Sequence, residues 1–276
     1  MIPLSLSRAI GLSPRKRRVR RNRKGRGRWR KRVRWVRQRL DVLPRPVRIA
    51  VIAAVVLVFI AAANFAYQVA RKPTEMFFPV SGVLDKAPAE TWAAYAPLFR
   101  EHSTAAITPE FLAALAQVEA AGNPLARTYW RWRLTWDPLS MYRPASSAVG
   151  MYQMTDAAFA DSRGACTHEH VVVEDCWFTG LYTRVLPSHA IELTAVFLDR
   201  KVAAILVRQP HATATARQKQ DLAALIHLCG AGTGKAFARR GFQLTAGQRC
   251  GDHDAARYLA AVNAMTRKFR LLAADE

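Results

Sequence analysis

The longest run without a charged side chain, residues 49–70, constrains this sequence more than any other feature. It is strongly apolar through most of its length, and its two amide residues, Asn64 and Gln68, lie near one end. As an α-helix its 22 residues would span about 33 Å, close to a hydrocarbon core of about 30 Å. The run therefore predicts one transmembrane helix. The alternative is a long signal peptide with its apolar segment at 49–60 and cleavage near 61–63.

Positive charge is concentrated before this run. Residues 1–48 contain 19 Lys and Arg side chains and a single acidic one, Asp41, while the whole chain carries +22. The remaining 228 residues hold 23 basic and 19 acidic side chains, so their net charge is only +4. The positive-inside rule then predicts that residues 1–48 are cytoplasmic and that residues 72–276 lie outside, on the other side of the membrane.

The basic tail, residues 1–48, combines its charges with Trp29 and Trp35 but has too few apolar residues for a core. We expect it to lie on anionic lipid at the inner leaflet. The alternative for this tail is contact with DNA, RNA or an acidic protein. Nucleic-acid binding is not favoured as the main function, because the rest of the chain has an ordinary charge balance.

The cysteines support export independently. All four follow the apolar run, and an even number in an exported domain is typical of disulfides. Proximity in sequence favours the pairs Cys166–Cys176 and Cys229–Cys250, although four cysteines allow three pairings. A zinc site is not favoured because no CxxC spacing occurs. No metal or cofactor is expected.

Beyond the membrane run, the sequence predicts a linker or stalk at 71–100, which contains four prolines, and a mostly α domain at 101–276. The first helix of that domain has Thr108 as N-cap, Pro109 at its first position and Gly122 just after its end. Val171 to Val173 is the only obvious β-branched cluster. Further helices are predicted at 155–162, 188–208, 216–228, 233–240 and 252–272.

Glu119 lies on the apolar face of that first helix, since it follows Leu112 by seven residues and Leu115 by four. One interpretation is a structural ion pair with an arginine that follows the helix: Arg127, Arg131 or Arg133. The other is a carboxylic acid that desolvation keeps available as a proton donor. Position alone does not separate the two.

Three segments together resemble the lytic transglycosylases. These enzymes share the soluble lytic transglycosylase domain, which belongs to the lysozyme-like superfamily. Residues 116–124 (Ala-Gln-Val-Glu-Ala-Ala-Gly-Asn-Pro) are similar to the family's catalytic Glu-Ser block. Residues 146–155 (Ser-Ser-Ala-Val-Gly-Met-Tyr-Gln-Met-Thr) resemble its Gly-Leu-Met-Gln-Ile block, the most specific of the three. Residues 227–232 (His-Leu-Cys-Gly-Ala-Gly) stand in the place of its Tyr-Asn-Ala-Gly-Pro-Gly block. The resemblance covers roughly 105–245.

The resemblance implies a lysozyme-like helical domain that cleaves peptidoglycan glycan strands and forms 1,6-anhydro-N-acetylmuramic acid, with Glu119 as acid and base. It also implies substrate contacts by the residues of the second and third blocks: Gly150, Met151, Tyr152, Gln153 and His227. Gly150 would let a sugar approach the backbone, Gln153 would bind the glycan or orient Glu119, and Tyr152 would help at the N-acetyl group. The chain departs from the family at Ala120, where serine is usual, and at His227-Leu228, where Tyr-Asn is usual.

An aromatic and arginine-rich segment lies between the first two blocks. Its Trp130 and Trp132, with Tyr142, are candidates for stacking on sugar rings, and the alternative is packing within the domain. If the enzyme is instead a hydrolytic muramidase, a second acid is needed, with Asp137, Asp156 and Asp161 as candidates. A catalytically weak peptidoglycan-binding scaffold is the third alternative.

Two further residues, His189 and Glu192, are expected to be structural.

The resemblance implies a periplasmic domain on a single-span anchor in the inner membrane, and such an anchor would confine lysis to the nearby wall. It also implies a partner complex, such as a secretion, conjugation or pilus machine.

Overall fold

The computed structural model describes residues 34, 35, 38, 41–77, 81–208 and 214–276. The chain forms two compact units, Met1–Ala63 and Asn64–Glu276. Most of the basic tail predicted at 1–48 lies outside the described residues.

Helix α1, Arg45–Arg71, confirms the long apolar helix predicted at 49–70. Only 6% of its most apolar window is buried within the protein, so its surface is free to contact lipid. A helix of this length and composition near the start of the chain fits a membrane anchor or a signal sequence.

The described residues are mostly helical, as predicted. After α1 the α-helices are α2 (Pro88–Glu101), α3 (Pro109–Ala120), α4 (Asp156–Ser162), α5 (Pro187–Leu206), α6 (Ala216–Arg239) and α7 (Ala255–Ala274). Short 3-10 helices lie at Pro73–Phe77, Ser81–Leu84 and Trp177–Leu181. The strands form three antiparallel hairpins: β1 (Trp130–Trp132) with β2 (Tyr142–Pro144), β3 (Ala165–His168) with β4 (Val171–Glu174), and β5 (Arg249–Cys250) with β6 (His253–Asp254).

The core is formed by α2, α3, α5, α6 and α7. Helix α3 packs most extensively on α7, α5 packs on α6, and α2 packs on α3. Residues 111–116 of α3 are all buried, so this short helix runs through the centre of the helical unit.

The prediction of a linker or stalk at 71–100 is wrong for its second half, because α2 begins at Pro88. Trp92, Ala96 and Phe99 on this helix are 0–3% exposed and belong to the main core. Pro88 is compatible with the helix because it occupies the first turn, where the missing N–H would have no partner. Pro97 lies inside the helix, which therefore forms despite one missing backbone hydrogen bond. The helical domain therefore includes residues 88–101.

Both predicted ends of α3 are confirmed. The Thr108 hydroxyl accepts a hydrogen bond from the Phe111 N–H, and Pro109 is the first helical residue. The helix ends at Ala120, its C-cap Ala121 adopts a left-handed conformation (φ 48°), and Gly122 (φ 66°) follows it as predicted. A Cβ on Gly122 would lie 2.3 Å from the Thr91 hydroxyl, so α2 can pack here only against glycine.

The helices predicted at 216–228 and 233–240 are both present. They form the two segments of α6, which are separated by a kink at Gly230, where the backbone is non-helical (φ 80°, ψ 166°). One predicted boundary differs from the structure. The last helix is capped by Asp254, whose carboxylate accepts from the Arg257 N–H, and not by Asp252. Asp252 instead lies in the tight β5–β6 turn.

Both disulfide pairs favoured by sequence proximity are present. Cys166–Cys176 links the start of hairpin β3–β4 to the segment that follows it, with Cα atoms 5.9 Å apart. Cys229–Cys250 ties α6 to β5, with Cα atoms 5.3 Å apart. Two disulfides are typical of an oxidising compartment, which agrees with export of this part of the chain.

Candidate functional site

Glu119 lies in the last turn of α3, where the buried helix reaches the surface. The preceding residues 111–116 are buried, whereas 17% of the Glu119 side chain is exposed. Because Thr108 and Ala121 fix the two ends of the helix, the direction of this side chain is set by the backbone. The carboxyl group is thus mostly desolvated but reachable.

The contacts of the Glu119 carboxylate come from two other helices. The Tyr258 hydroxyl on α7 donates a short hydrogen bond to Oε1. The Nε2 atom of His227, on α6, lies 3.6 Å from the same oxygen, and only 10% of the His227 side chain is exposed. The first and third motif blocks therefore do meet in space.

The arginines considered as ion-pair partners of Glu119 are used elsewhere. Arg127 pairs with Glu75 at 3.3 Å, and Arg131 and Arg133 are exposed on the β1–β2 hairpin. Among the ion pairs of the described residues, none joins Glu119 to a lysine or arginine. A carboxylate held by a phenol and an imidazole can exchange a proton more readily than one fixed by a guanidinium.

Tyr258 was not identified as a site residue from the sequence. Burial raises the pKa of its hydroxyl well above the usual value, and the nearby Glu119 carboxylate raises it further. Tyr258 is therefore a neutral hydrogen-bond donor over the physiological pH range. A hydroxyl on an otherwise apolar helix face was the only signal for it in the sequence.

Two open clefts are lined by Tyr258 or by a sequence neighbour of Glu119. One, of about 340 Å³, is lined by Tyr258 together with Arg257 and Asp254, the N-cap of α7. Another, of about 370 Å³, is lined by Ala120, the residue after Glu119, and by Asn123. Glu119 itself lines neither of these two clefts.

Three residues of the second block, 146–155, do not have the substrate-contacting role that was expected for them. Met151 and Tyr152 are 0% and 1% exposed, so their side chains pack in the core and are not available to a substrate in this structure. Gly150 (φ 79°) is required by the protein itself, because a Cβ there would lie 2.2 Å from the Arg184 carbonyl oxygen. The expected approach of a sugar to Gly150 is therefore replaced by an approach of the Arg184 backbone.

Gln153 is partly exposed, whereas its neighbours Tyr152 and Met154 are buried. It adopts a left-handed conformation (φ 45°), which is unfavourable for a residue with a side chain. Its amide Nε2 donates to the Gly150 carbonyl oxygen at 3.0 Å, closing a tight loop between the bridged residues Val149 and Met154. The described hydrogen bonds do not connect Gln153 to Glu119.

The aromatic candidates lie on the β1–β2 hairpin. Trp132 pairs with Tyr142 across the strands, and the two rings stack with centroids 4.6 Å apart. Trp130, two residues before Trp132 in β1, also lies against Tyr142, with ring centroids 5.0 Å apart, and its Nε1 donates to the carboxylate of Glu75 at 2.6 Å. Trp130 therefore contributes to packing within the domain, as the alternative interpretation proposed. Trp132, in contrast, is 73% exposed.

The three aspartates proposed as a second acid are engaged in other contacts. Asp156 pairs with Arg184 at 2.7 Å and Asp161 with Lys201 at 2.9 Å. Hydrogen bonds from Ser140 and from the Leu139 N–H lower the pKa of Asp137. None of these arrangements favours a general acid.

His189 and Glu192 have the structural surroundings that were expected. Glu192 is 4% exposed and accepts hydrogen bonds from the Thr167 N–H at 2.8 Å and the Tyr182 hydroxyl at 2.7 Å. The His189 ring stacks on Tyr182, with centroids 3.9 Å apart. These contacts hold hairpin β3–β4 and the following segment against α5.

Comparison with known proteins adds no assignment. No family model matches this chain, and no curated protein matches it.

Proposed function

We propose that this protein is a membrane-anchored lytic transglycosylase that cleaves the β-1,4 bond between N-acetylmuramic acid and N-acetylglucosamine in peptidoglycan. The observation that carries the proposal is the setting of Glu119. A mostly desolvated but reachable carboxyl group, held by Tyr258 and His227, lies at the end of the buried helix that carries the first family-like block. The order of the three blocks along the chain supports the same substrate class.

In the proposed reaction Glu119 acts twice. Its protonated carboxyl gives a proton to the glycosidic oxygen as the bond from that oxygen to muramoyl C1 breaks, releasing N-acetylglucosamine with a free hydroxyl. The ionised carboxylate then takes the proton of the muramoyl C6 hydroxyl while that oxygen bonds to C1. The product is the 1,6-anhydro sugar, Glu119 is protonated again, and no water is consumed.

Tyr258 and His227 are proposed as positioning residues for this cycle. The phenol donates to Oε1, so the proton to be transferred must occupy the other carboxyl oxygen, Oε2. The His227 imidazole, with Nε2 3.6 Å from Oε1, lies beside the carboxylate and restricts the directions in which it can turn. A single carboxyl suffices for this chemistry, whereas hydrolysis requires a second acid or base to handle water.

The anchor supports a local action on the cell wall. Helix α1 is long and apolar enough to cross a membrane, and the two disulfides favour an exported location for the helical unit. We infer that the N-terminus is cytoplasmic and the catalytic unit periplasmic, since the basic residues precede the helix. Tethering would restrict cleavage to wall near the protein, which suits a partner machine that must pass through the wall.

Digestion of purified sacculi by the detergent-solubilised protein tests the proposal. We expect muropeptides ending in 1,6-anhydro-N-acetylmuramic acid, identified by mass spectrometry. Reducing N-acetylmuramic acid ends would instead identify a hydrolytic muramidase. Binding to sacculi without released fragments would identify a scaffold.

A further inference from the structure

The tip of the β1–β2 hairpin exposes three large apolar side chains. Trp132, Leu134 and Trp136 are 73%, 105% and 102% exposed, and they alternate with the exposed residues Arg131 and Arg133. A soluble surface seldom presents so much apolar area within five residues unless it binds something. We call residues 131–136 the hairpin tip.

The hairpin that carries this tip is firmly held at its base. The rings of Trp132 and Tyr142 stack at 4.6 Å, and the Trp130 Nε1 donates to buried Glu75 at 2.6 Å. These contacts attach the strands of the hairpin to each other and to the buried Glu75.

The same hairpin is attached to the last turns of α1. The Asn64 Nδ2 donates to the Pro138 carbonyl at 3.1 Å, and the Gln68 Nε2 donates to the Leu139 carbonyl at 2.7 Å. These two amides are the buried residues of α1, while the rest of the helix is largely exposed. The two amide side chains of this otherwise apolar helix therefore bind the hairpin.

These contacts place the hairpin beside the last two turns of α1. Arg71 is the first charged residue after the apolar run. At 1.5 Å per residue, Gln68 and Asn64 lie about 5 and 10 Å before it along the helix axis. The interfacial layer on each side of a bilayer is about 5–7 Å thick, so a loop bound to Asn64 and Gln68 lies at the boundary between hydrocarbon and headgroups.

We propose that the hairpin tip inserts into the outer-leaflet interface of the membrane that α1 spans. Tryptophan is enriched at this depth because its ring is apolar and its N–H still reaches polar groups. Arg131 and Arg133 are placed to bind lipid phosphates between the inserted side chains. The surface that the sequence suggested as a sugar-stacking platform is thus assigned to phospholipid, and it holds the exported unit against the membrane in one orientation.

The inference depends on α1 being a membrane anchor and does not depend on the proposed enzymatic activity. Its test is tryptophan emission of the full chain in phosphatidylethanolamine–phosphatidylglycerol vesicles that contain lipids brominated near the headgroup. The test variant is the double substitution Trp132→Gln and Trp136→Gln. The matched control is Trp177→Gln, which removes a tryptophan that is 82% exposed elsewhere on the same unit.

We expect the double variant to lose roughly half of the emission that brominated lipid quenches, because it removes two of the four tryptophans expected at the interfaces (Trp29, Trp35, Trp132 and Trp136). The control variant should retain all of it. Equal lipid quenching in the wild type and the double variant would overturn the proposal. So would protection of these tryptophans from aqueous acrylamide by glycan fragments but not by vesicles, which would reassign the tip to sugar binding.

Discussion

Replacing Glu119 with glutamine is expected to lower the rate of anhydro-muropeptide release by about 10³-fold or more. A single proton-transfer group contributes roughly 10²–10⁴-fold to an enzymatic rate, and in the proposed mechanism one carboxyl supplies both transfers. Glutamine keeps the shape and can still accept a hydrogen bond from Tyr258, so the fold should be retained. The rate is measured on purified sacculi, with the melting temperature recorded for each protein.

The matched control is Glu110→Gln, the same chemical change in the first turn of the same helix. It should leave the rate within a small factor of wild type. Tyr258→Phe removes the hydroxyl that orients the carboxyl group and should cost less than Glu119→Gln but more than the control. If Glu119→Gln and Glu110→Gln cleared sacculi equally well, Glu119 would not be the catalytic acid.

The second large effect is expected at Glu75, which is completely buried. Its carboxylate pairs with Lys72 at 3.0 Å and with Arg127 at 3.3 Å, and it accepts from the Trp130 Nε1. Glu75→Ala would leave two largely buried cations without their counter-charge. Removing one partner of a buried pair typically costs about 3–5 kcal/mol of unfolding free energy, and we expect a loss in this range.

Lys72 shows how much this cluster depends on Glu75. Burial already lowers the pKa of the Lys72 ammonium, and the Glu75 carboxylate opposes that shift.

The loss of stability in the Glu75→Ala variant is measured by denaturant unfolding of the full chain in detergent. The control is Glu174→Ala, which removes an exposed pair with Arg200 (3.2 Å) and should cost about 1 kcal/mol or less. Similar losses for the two variants would show that the Glu75 cluster does not hold the hairpin base.

Features that depend on nearby residues could be predicted from the sequence. The apolar helix, the Thr108 cap and Pro109 at the start of α3 are set by local backbone chemistry. The two disulfides join cysteines only 10 and 21 residues apart, so sequence proximity was a sufficient guide. Glu119 reached its expected place for the same reason, because helical periodicity fixes which face it occupies.

Features that depend on distant residues could not be predicted. Tyr258 contacts Glu119 across 139 residues, and nothing in the local pattern of α7 signals that contact. Glu75 lies in a proline-containing segment whose composition suggested a stalk. Its structural role follows from its ion pairs with Lys72 and Arg127, which the composition does not reveal. Gly150 was assigned to a ligand because a glycine signals a close approach, but the sequence does not say that the approaching group is the Arg184 carbonyl.

The most direct test of the Glu119 mechanism is digestion of sacculi in water enriched in heavy oxygen, followed by mass spectrometry of the released muropeptides. If the C6 hydroxyl closes the ring and Glu119 recovers its proton, the new muramoyl end should contain no oxygen from the solvent. Incorporation of one heavy oxygen atom at that end would show that water attacks C1, and the transglycosylase mechanism would be wrong.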